Sequence, residues 1–194
     1  MKLFIDRFES PLGEIMLVTD GECLCALDFA EYEPRMRGLL SKRYPAVDWL
    51  VKVDPQGLRT KIQAYLAGDY RSLIEIDVNA GGTAFQQLVW QELRKIPVGT
   101  TVAYGEIATN IGRPTAARAV GMANSLNPVA IVIPCHRVIG ASLQLTGYAG
   151  GLVRKQWLLA HEGVSLSPAA IDKDRERISK RLDRQNLTTT NKIE

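Results

Sequence analysis

The sequence predicts an α+β chain in three parts. A strand-led, mixed α/β domain covers residues 1–79, a mostly helical domain covers 80–166, and a polar tail covers 167–194. Three observations carry this reading. Short β-rich runs separated by Ser-Pro-Leu-Gly and Asp-Gly turn signals fill the first eighty residues. Asn79-Ala80-Gly81-Gly82 interrupts them, and beyond it apolar residues recur at helical spacing. After Val164 apolar residues thin out, so no further core is expected there.

The elements follow in order. Leu3 to Phe8 and Ile15 to Thr19 are strand-like and joined by Ser10-Pro11-Leu12-Gly13; Asp20-Gly21 is a hairpin signal before a third strand, Leu24 to Phe29. Cys23 and Cys25 alternate with Leu24, which puts both on one face of that strand. Pro34 opens a helix to about Tyr44, with Met36, Leu39 and Leu40 on one side. Val47 to Val53 reads as a strand, Leu58 to Ala67 as a helix ended by Gly68, and Ile74 to Val78 as a last strand. Thr83-Ala84-Phe85-Gln86 is a capping-box pattern, and its helix runs to about Lys95, where Pro97-Val98-Gly99 breaks it. A helix over Tyr104 to Ile111, the turn Gly112-Arg113-Pro114, and a second helix over Ala116 to Asn124 capped by Thr115 form a helix-turn-helix. The second helix, AARAVGMAN, is nearly all small residues around Arg118; that suits close packing on another helix or on a DNA groove. Asn127-Pro128 leads into a strand over Ala130 to Ile133, then Cys135. A glycine-rich loop over 145–151 precedes a helix from Leu152 that Gly163 terminates. Residues 171–184 fit an exposed helix with a thin apolar edge, and LTTTNKIE reads as disordered.

Composition narrows the function. Of 194 residues, 46% are hydrophobic, enough for a sizeable core. No apolar run approaches the length of a membrane span, and the charged N-terminus is not a secretory signal. Three cysteines without a signal point to free thiols in a reducing cytoplasm. Residues 1–80 hold ten Lys and Arg against thirteen Asp and Glu, whereas 97–160 hold five against Glu106 alone. A basic half beside a faintly acidic one suits a polyanionic partner, although a basic face can also be simply solvated.

The stretch IVIPCHRVIG at 131–140 sets a thiol, an imidazole and a guanidinium at the end of an apolar run. The chain has only two histidines: His136 adjoins Cys135, and His161 adjoins Glu162. A free thiol, with a pKa of about 8.5, is mostly protonated at neutral pH; a neighbouring imidazole held by a carboxylate can take its proton. A buried structural cysteine is the competing reading. No dinucleotide fingerprint, phosphate loop or His-Glu-x-x-His motif is present, and a Cys-x-Cys pair alone is a poor metal signal. The chemistry expected is therefore that of a thiolate, with no metal and no cofactor.

PCHRV at 134–138 resembles the active-site signature of the O6-alkylguanine-DNA alkyltransferases. FQQLVWQELRKIPVGTTVAYGEIA, GRPTAARAVGMANSLNPVAIVIPCHRVIG and LTGYAGGLVRKQWLLAHEG resemble that family in order and spacing, densely over 83–163. SPLGEIMLV and YLAGD extend the likeness more loosely into the first eighty residues. The resemblance implies a ribonuclease H-like first domain and a winged helix-turn-helix-like motif in the second. It implies flipping of a damaged guanine out of duplex DNA and a single, irreversible transfer of its O6-alkyl group, with O4-alkylthymine as a further substrate left open. Carried over by position, Cys135 is the alkyl acceptor, His136 its base through a water, and Glu162 the group that orients His136. Asn127 ties the turn to the site, and Tyr104 helps rotate the nucleotide and protonates the departing guanine. Arg118 enters the base stack, with Thr115, Ala117, Ala119 and Gly121 on the surface pressed into the minor groove. Val138, Tyr148 and Ala149, with Arg137, belong to the substrate pocket. The implied partner is double-stranded DNA bound by a monomer, with cooperativity left open.

The chain departs from the family at Ala149, which is Ser in some relatives, at the turn 141–144, and in the tail; its first domain has no histidine for the zinc site of some relatives. A non-enzymatic damage-binding relative would lack the cysteine. A cysteine hydrolase would need no Arg118 on a small-residue helix, and a helix-turn-helix regulator would read the major groove as a dimer.

Overall fold

Four strands open the chain: β1 (Lys2–Phe8), β2 (Ile15–Thr19), β3 (Leu24–Phe29) and β4 (Asp48–Val51). The structure, a computed structural model, describes residues 1–44, 46–141, 145 and 147–165. The helix expected over 171–184, the disordered end and most of the 141–144 turn lie outside the described residues. The sheet order is β3-β2-β1-β4, antiparallel except for the parallel pair β1 and β4. Every residue of β2 is buried, because both faces of the sheet are covered. On one face Leu3, Ile5, Met16, Val18 and Ala26 meet Met36 and Leu40 of α1 (Glu33–Arg43). On the other, Phe8, Ile15, Leu17, Leu27 and Phe29 join a cluster that continues into the helical half through Val89, Trp90, Ile107, Val120 and Leu158.

Helices α2 (Leu58–Leu66), α3 (Ala84–Leu93), α4 (Tyr104–Asn110), α5 (Ala117–Ser125) and α6 (Leu152–His161) complete the frame. The Thr83 capping box forms in both directions: Gln86 N donates to Thr83 Oγ1, and Thr83 N donates to Gln86 Oε1. Trp90 Nε1 of α3 donates to the Ala123 carbonyl of α5 at 2.9 Å, which seats the second helix of the helix-turn-helix on the core.

Several expectations are corrected. Ala130 to Ile133 is not a strand. Val132 N bonds back to the Ala130 carbonyl, Ile133 N to Val129 and Cys135 N to Ile133, and Ile131 has a φ of 70°. A β-branched residue in that left-handed region is strained. The run is apolar because it is buried, and burial does not distinguish a strand from a turn. Ile74 to Val78 gives only one bridge, Val78 to Leu24 at the edge of the sheet. Thr115 does not cap α5; the N-cap is Ala116, with no side-chain cap bond, and Thr115 is exposed. Cys23 lies outside β3 and is partly exposed, so it does not share a strand face with Cys25. Cys25 is a core thiol whose burial pushes it up to about 11.

Candidate active site

After the left-handed Ile131, Pro134 turns the chain into a single 3-10 turn, Cys135–Arg137, which leads into β6 (Val138–Ile139). β6 pairs in parallel with β5 (Val102–Ala103), the residues just before α4. A tight turn sends three successive side chains in different directions, which a strand could not do. Cys135, His136 and Arg137 are all buried.

Cys135 faces Asn127. Asn127 Nδ2 donates to Cys135 Sγ at 3.1 Å and to the Ile133 carbonyl at 2.9 Å, while Asn127 Oδ1 accepts from Val129 N at 2.9 Å. Burial pushes the Cys135 thiol up, and the Asn127 hydrogen bond and the Lys155 ammonium oppose that only in part. The resting group is therefore a thiol that needs a proton acceptor.

His136 and Arg137 both turn to Glu162, at the C-terminal end of α6. His136 Nε2 lies 3.0 Å from Glu162 Oε1, and Arg137 donates Nε to Oε2 and Nη2 to Oε1, each at 2.8 Å. Tyr65 of α2 donates its hydroxyl to Oε1 at 2.6 Å. Burial would raise the Glu162 carboxyl, but the hydrogen bonds from His136, Arg137 and Tyr65 hold it well below the usual carboxylate range. Burial lowers His136, so the ring is neutral at pH 7. A neutral imidazole beside an ionised carboxylate carries its hydrogen on Nε2, leaving the lone pair on Nδ1. His136 Nδ1 is buried and has no hydrogen-bond partner among the described residues.

The other expected residues fall into three places. Tyr104 begins α4, with its ring 3.7 Å from where a Cβ on Gly121 of α5 would lie. That distance is ordinary contact, so Tyr104 alone does not demand a glycine. Thr115, Arg118 and Ala119 are exposed on the outer side of the helix-turn-helix with Met122, and Ala117 and Gly121 are half-buried. Val138 is fully buried, and its carbonyl accepts from Lys155 Nζ at 2.6 Å. Tyr148 and Ala149 are half-buried in the turn before α6, with the Tyr148 hydroxyl buried and without a hydrogen-bond partner among the described residues. Burial and the nearby Cys135 push the Tyr148 phenol up. Arg137, expected in the substrate pocket, spends its donors on Glu162 and on the Ile96 carbonyl at 2.6 Å. It borders a cavity of about 440 Å³ with Tyr70, Arg94, Ile96 and Pro134, and Cys135 is not in that lining.

His161, the second histidine, is structural: it stacks on Trp157 at 4.8 Å and pairs with the Tyr65 carbonyl at 2.8 Å. Sequence reasoning missed Tyr65, although it begins the YLAGD stretch. It also missed Arg35, which pairs with buried Asp28 at 2.6 Å and donates to the Ser125 and Asn127 carbonyls. Among the described residues no group of three or more His, Cys, Asp or Glu is placed to hold a metal.

Comparison with known proteins identifies the family. Residues 4–80 match the ribonuclease-like domain of 6-O-methylguanine DNA methyltransferase, and residues 84–164 match its DNA binding domain. The methylated-DNA--protein-cysteine methyltransferase of Salmonella typhimurium is 44% identical over 169 residues, covering 86% of this chain and 99% of the relative. That of Methanosarcina acetivorans is 46% identical over 158 residues, covering 80% and 96%. The crystal structure of Mycobacterium tuberculosis O6-methylguanine methyltransferase superposes with a TM-score of 0.71 at 42% identity, covering 88% of this chain and 98% of that one. The Mycobacterium tuberculosis OGT in complex with DNA gives 0.70 at 41%, with the same coverage. Both halves of the sequence, and the fold that joins them, place the chain in the 6-O-methylguanine DNA methyltransferase family.

Proposed function

We propose that this protein repairs O6-alkylguanine in DNA by moving the alkyl group to Cys135, once per molecule. The observation that carries the reading is the buried relay Glu162–His136 beside a Cys135 thiol held by Asn127, directly following a helix-turn-helix. The Cys135 proton passes through water to His136 Nδ1, the one ring nitrogen that Glu162 leaves free to accept. Sγ then attacks the alkyl carbon, the S–C bond forms as the C–O6 bond breaks, and the electron pair leaves with guanine. Tyr104 donates its phenolic proton to the departing base and regains one from solvent, as the proton on His136 is lost to it. The thioether is stable, so no water or second substrate regenerates the thiol.

Access requires the nucleotide to leave the duplex. Arg118 fills the gap in the stack from the minor groove, and the small surface of Thr115, Ala117, Ala119 and Gly121 allows close approach. Val138, Tyr148 and Ala149 enclose the base, and Arg137 acts from behind, through Glu162. In this reading residues 80–166 perform the transfer and residues 1–79 support it. The partner is double-stranded DNA, the protein acts as a monomer, and free thiols suit a reducing cytoplasm. O4-alkylthymine is a second candidate substrate.

The test is intact and peptide mass spectrometry after incubation with an O6-methylguanine duplex. One methyl on the Cys135 peptide, stopping at one per molecule and absent from Cys135→Ser, is expected. Bound DNA with no methyl gain would instead indicate a damage-binding protein without transfer.

A further inference from the structure

We propose that Arg154 is a positioning residue for alkyl transfer, through which the N-terminal sheet domain holds the Tyr148–Gly151 wall of the pocket in place. This rests on the reading of Tyr148 and Ala149 as pocket wall. Arg154 lies in the first turn of α6, yet its guanidinium reaches both halves of the chain. Nε donates to the Leu12 carbonyl at 2.7 Å, and Nη1 and Nη2 grip the Glu31 carboxylate at 2.6 and 2.8 Å. Nη1 also donates to the Gly150 carbonyl at 3.1 Å. The same guanidinium lies 4.0 Å from the centre of the Phe29 ring.

Phe29 is fully buried at the end of β3, and it is the surface on which the wall rests. A Cβ on Gly150 would come within 2.5 Å of the Phe29 ring and 2.8 Å of the Tyr148 ring. The loop backbone therefore lies flat between a sheet residue beneath and Tyr148 beside it, clamped by Arg154 from one end. The receiving turn is built for this: Ser10 Oγ donates to the Gly13 carbonyl and accepts from Leu12 N, which presents the Leu12 carbonyl to Arg154. This gives a role to the Ser-Pro-Leu-Gly turn, far from the nucleophile in sequence.

The ion pair itself is partly solvated, with side-chain exposures of 17% for Arg154 and 55% for Glu31. Pairs of that kind contribute little to stability. What the planar fork adds is direction, because its donors are spread along one rigid plane and reach acceptors from three separate segments, whereas an ammonium presents its donors from a single nitrogen. The consequence belongs in the rate of transfer more than in folding.

The experiment compares Arg154→Ala, Arg154→Lys and Glu31→Gln with the parent, using Tyr148→Ala as a control. Three quantities are read: single-turnover methyl transfer at saturating protein, affinity for an undamaged duplex, and the thermal midpoint. Transfer in Arg154→Ala and Arg154→Lys should slow by about tenfold or more, the scale of a small misplacement of a reacting group, with undamaged-duplex affinity nearly unchanged. Glu31→Gln should slow transfer by less than about threefold, because both carbonyl contacts survive. If Arg154→Ala folds poorly, Arg154→Lys decides, assayed where its folded fraction by circular dichroism equals the parent's. Parent-like transfer in the Arg154 variants would overturn the proposal, as would a rate loss matched by loss of folded protein. Slow transfer in Tyr148→Ala with normal transfer in the Arg154 variants would reject the tether alone. Normal transfer in Tyr148→Ala would reject the pocket reading on which it rests.

Discussion

Glu162→Gln is the most searching perturbation of the site because it changes charge with almost no change of shape. In the parent, four donors converge on two carboxylate oxygens: Tyr65 Oη, His136 Nε2 and Arg137 Nη2 on Oε1, and Arg137 Nε on Oε2. An amide offers one acceptor and one NH2 group. With its oxygen in the Oε1 position, its N–H groups point at Arg137 Nε–H; turned over, they point at three donors. Arg137 is 7% exposed and cannot give up its proton, so its charge is left buried without a counter-charge. Breaking a buried pair in this way costs about 3–5 kcal/mol, a large share of the roughly 5–15 kcal/mol that holds a domain folded. Urea unfolding followed by circular dichroism near neutral pH should show that loss as a lower midpoint. Arg137→Met in the Glu162→Gln background should recover part of it, since removing both partners leaves no stranded charge. A loss below about 1 kcal/mol would refute the reasoning, because that is the behaviour of a solvent-screened surface pair.

Other outcomes follow from the same geometry. Stability should fall on acidification in two stages, since both groups bind fewer protons folded than unfolded. Loss through His136, whose folded pKa is lowered, begins as the pH drops through about 6.5, where the unfolded ring protonates. Loss through Glu162, held low in the fold, begins below about 4.3, the unfolded carboxyl value; His136→Gln should abolish only the first stage, and its persistence would remove that assignment. Asn127→Ala strands the Val129 N–H, whereas the Ile133 carbonyl keeps its bond from Cys135 N. It should destabilise by about 1–3 kcal/mol in calorimetry and slow methyl transfer. Arg118→Ala should change stability by less than about 0.5 kcal/mol, because its side chain is exposed. It should impair repair in duplex DNA far more than reaction with free O6-benzylguanine, and equal losses on both substrates would exclude a role in the base stack.

Much of the frame could be read from local signals. The Thr83 box, Pro34 near the start of α1, and Gly68 and Gly163 beyond helix ends each act within one turn of chain, so spacing alone reveals them. Cys135 and His136 are neighbours in one motif, and Asn127 meets Cys135 across eight residues, but the pairing of His136 with Glu162 spans 26 and is expected only from the resemblance. The rest depends on pairings that no local pattern records. Tyr65 meets Glu162 across 97 positions, and Arg35 meets Asn127 across 92. Arg137, expected in the pocket from the resemblance, has its buried partner 25 residues away, a pairing no local pattern records. The strand expected over Ala130 to Ile133 failed for a related reason: four consecutive buried aliphatics state an environment, not a backbone conformation.

The tethers that cross between the two halves recast the first eighty residues. Tyr65 touches the relay carboxylate, Arg35 holds the carbonyl of the asparagine that faces the thiol, and Arg154 fastens the turn after Tyr148 to Leu12 and Glu31. A single apolar cluster runs beneath all three. The sheet thus serves as the mould in which the reactive half is cast, so drift at Tyr65 or Asp28 is inherited by the chemistry without touching any residue that meets the damaged base.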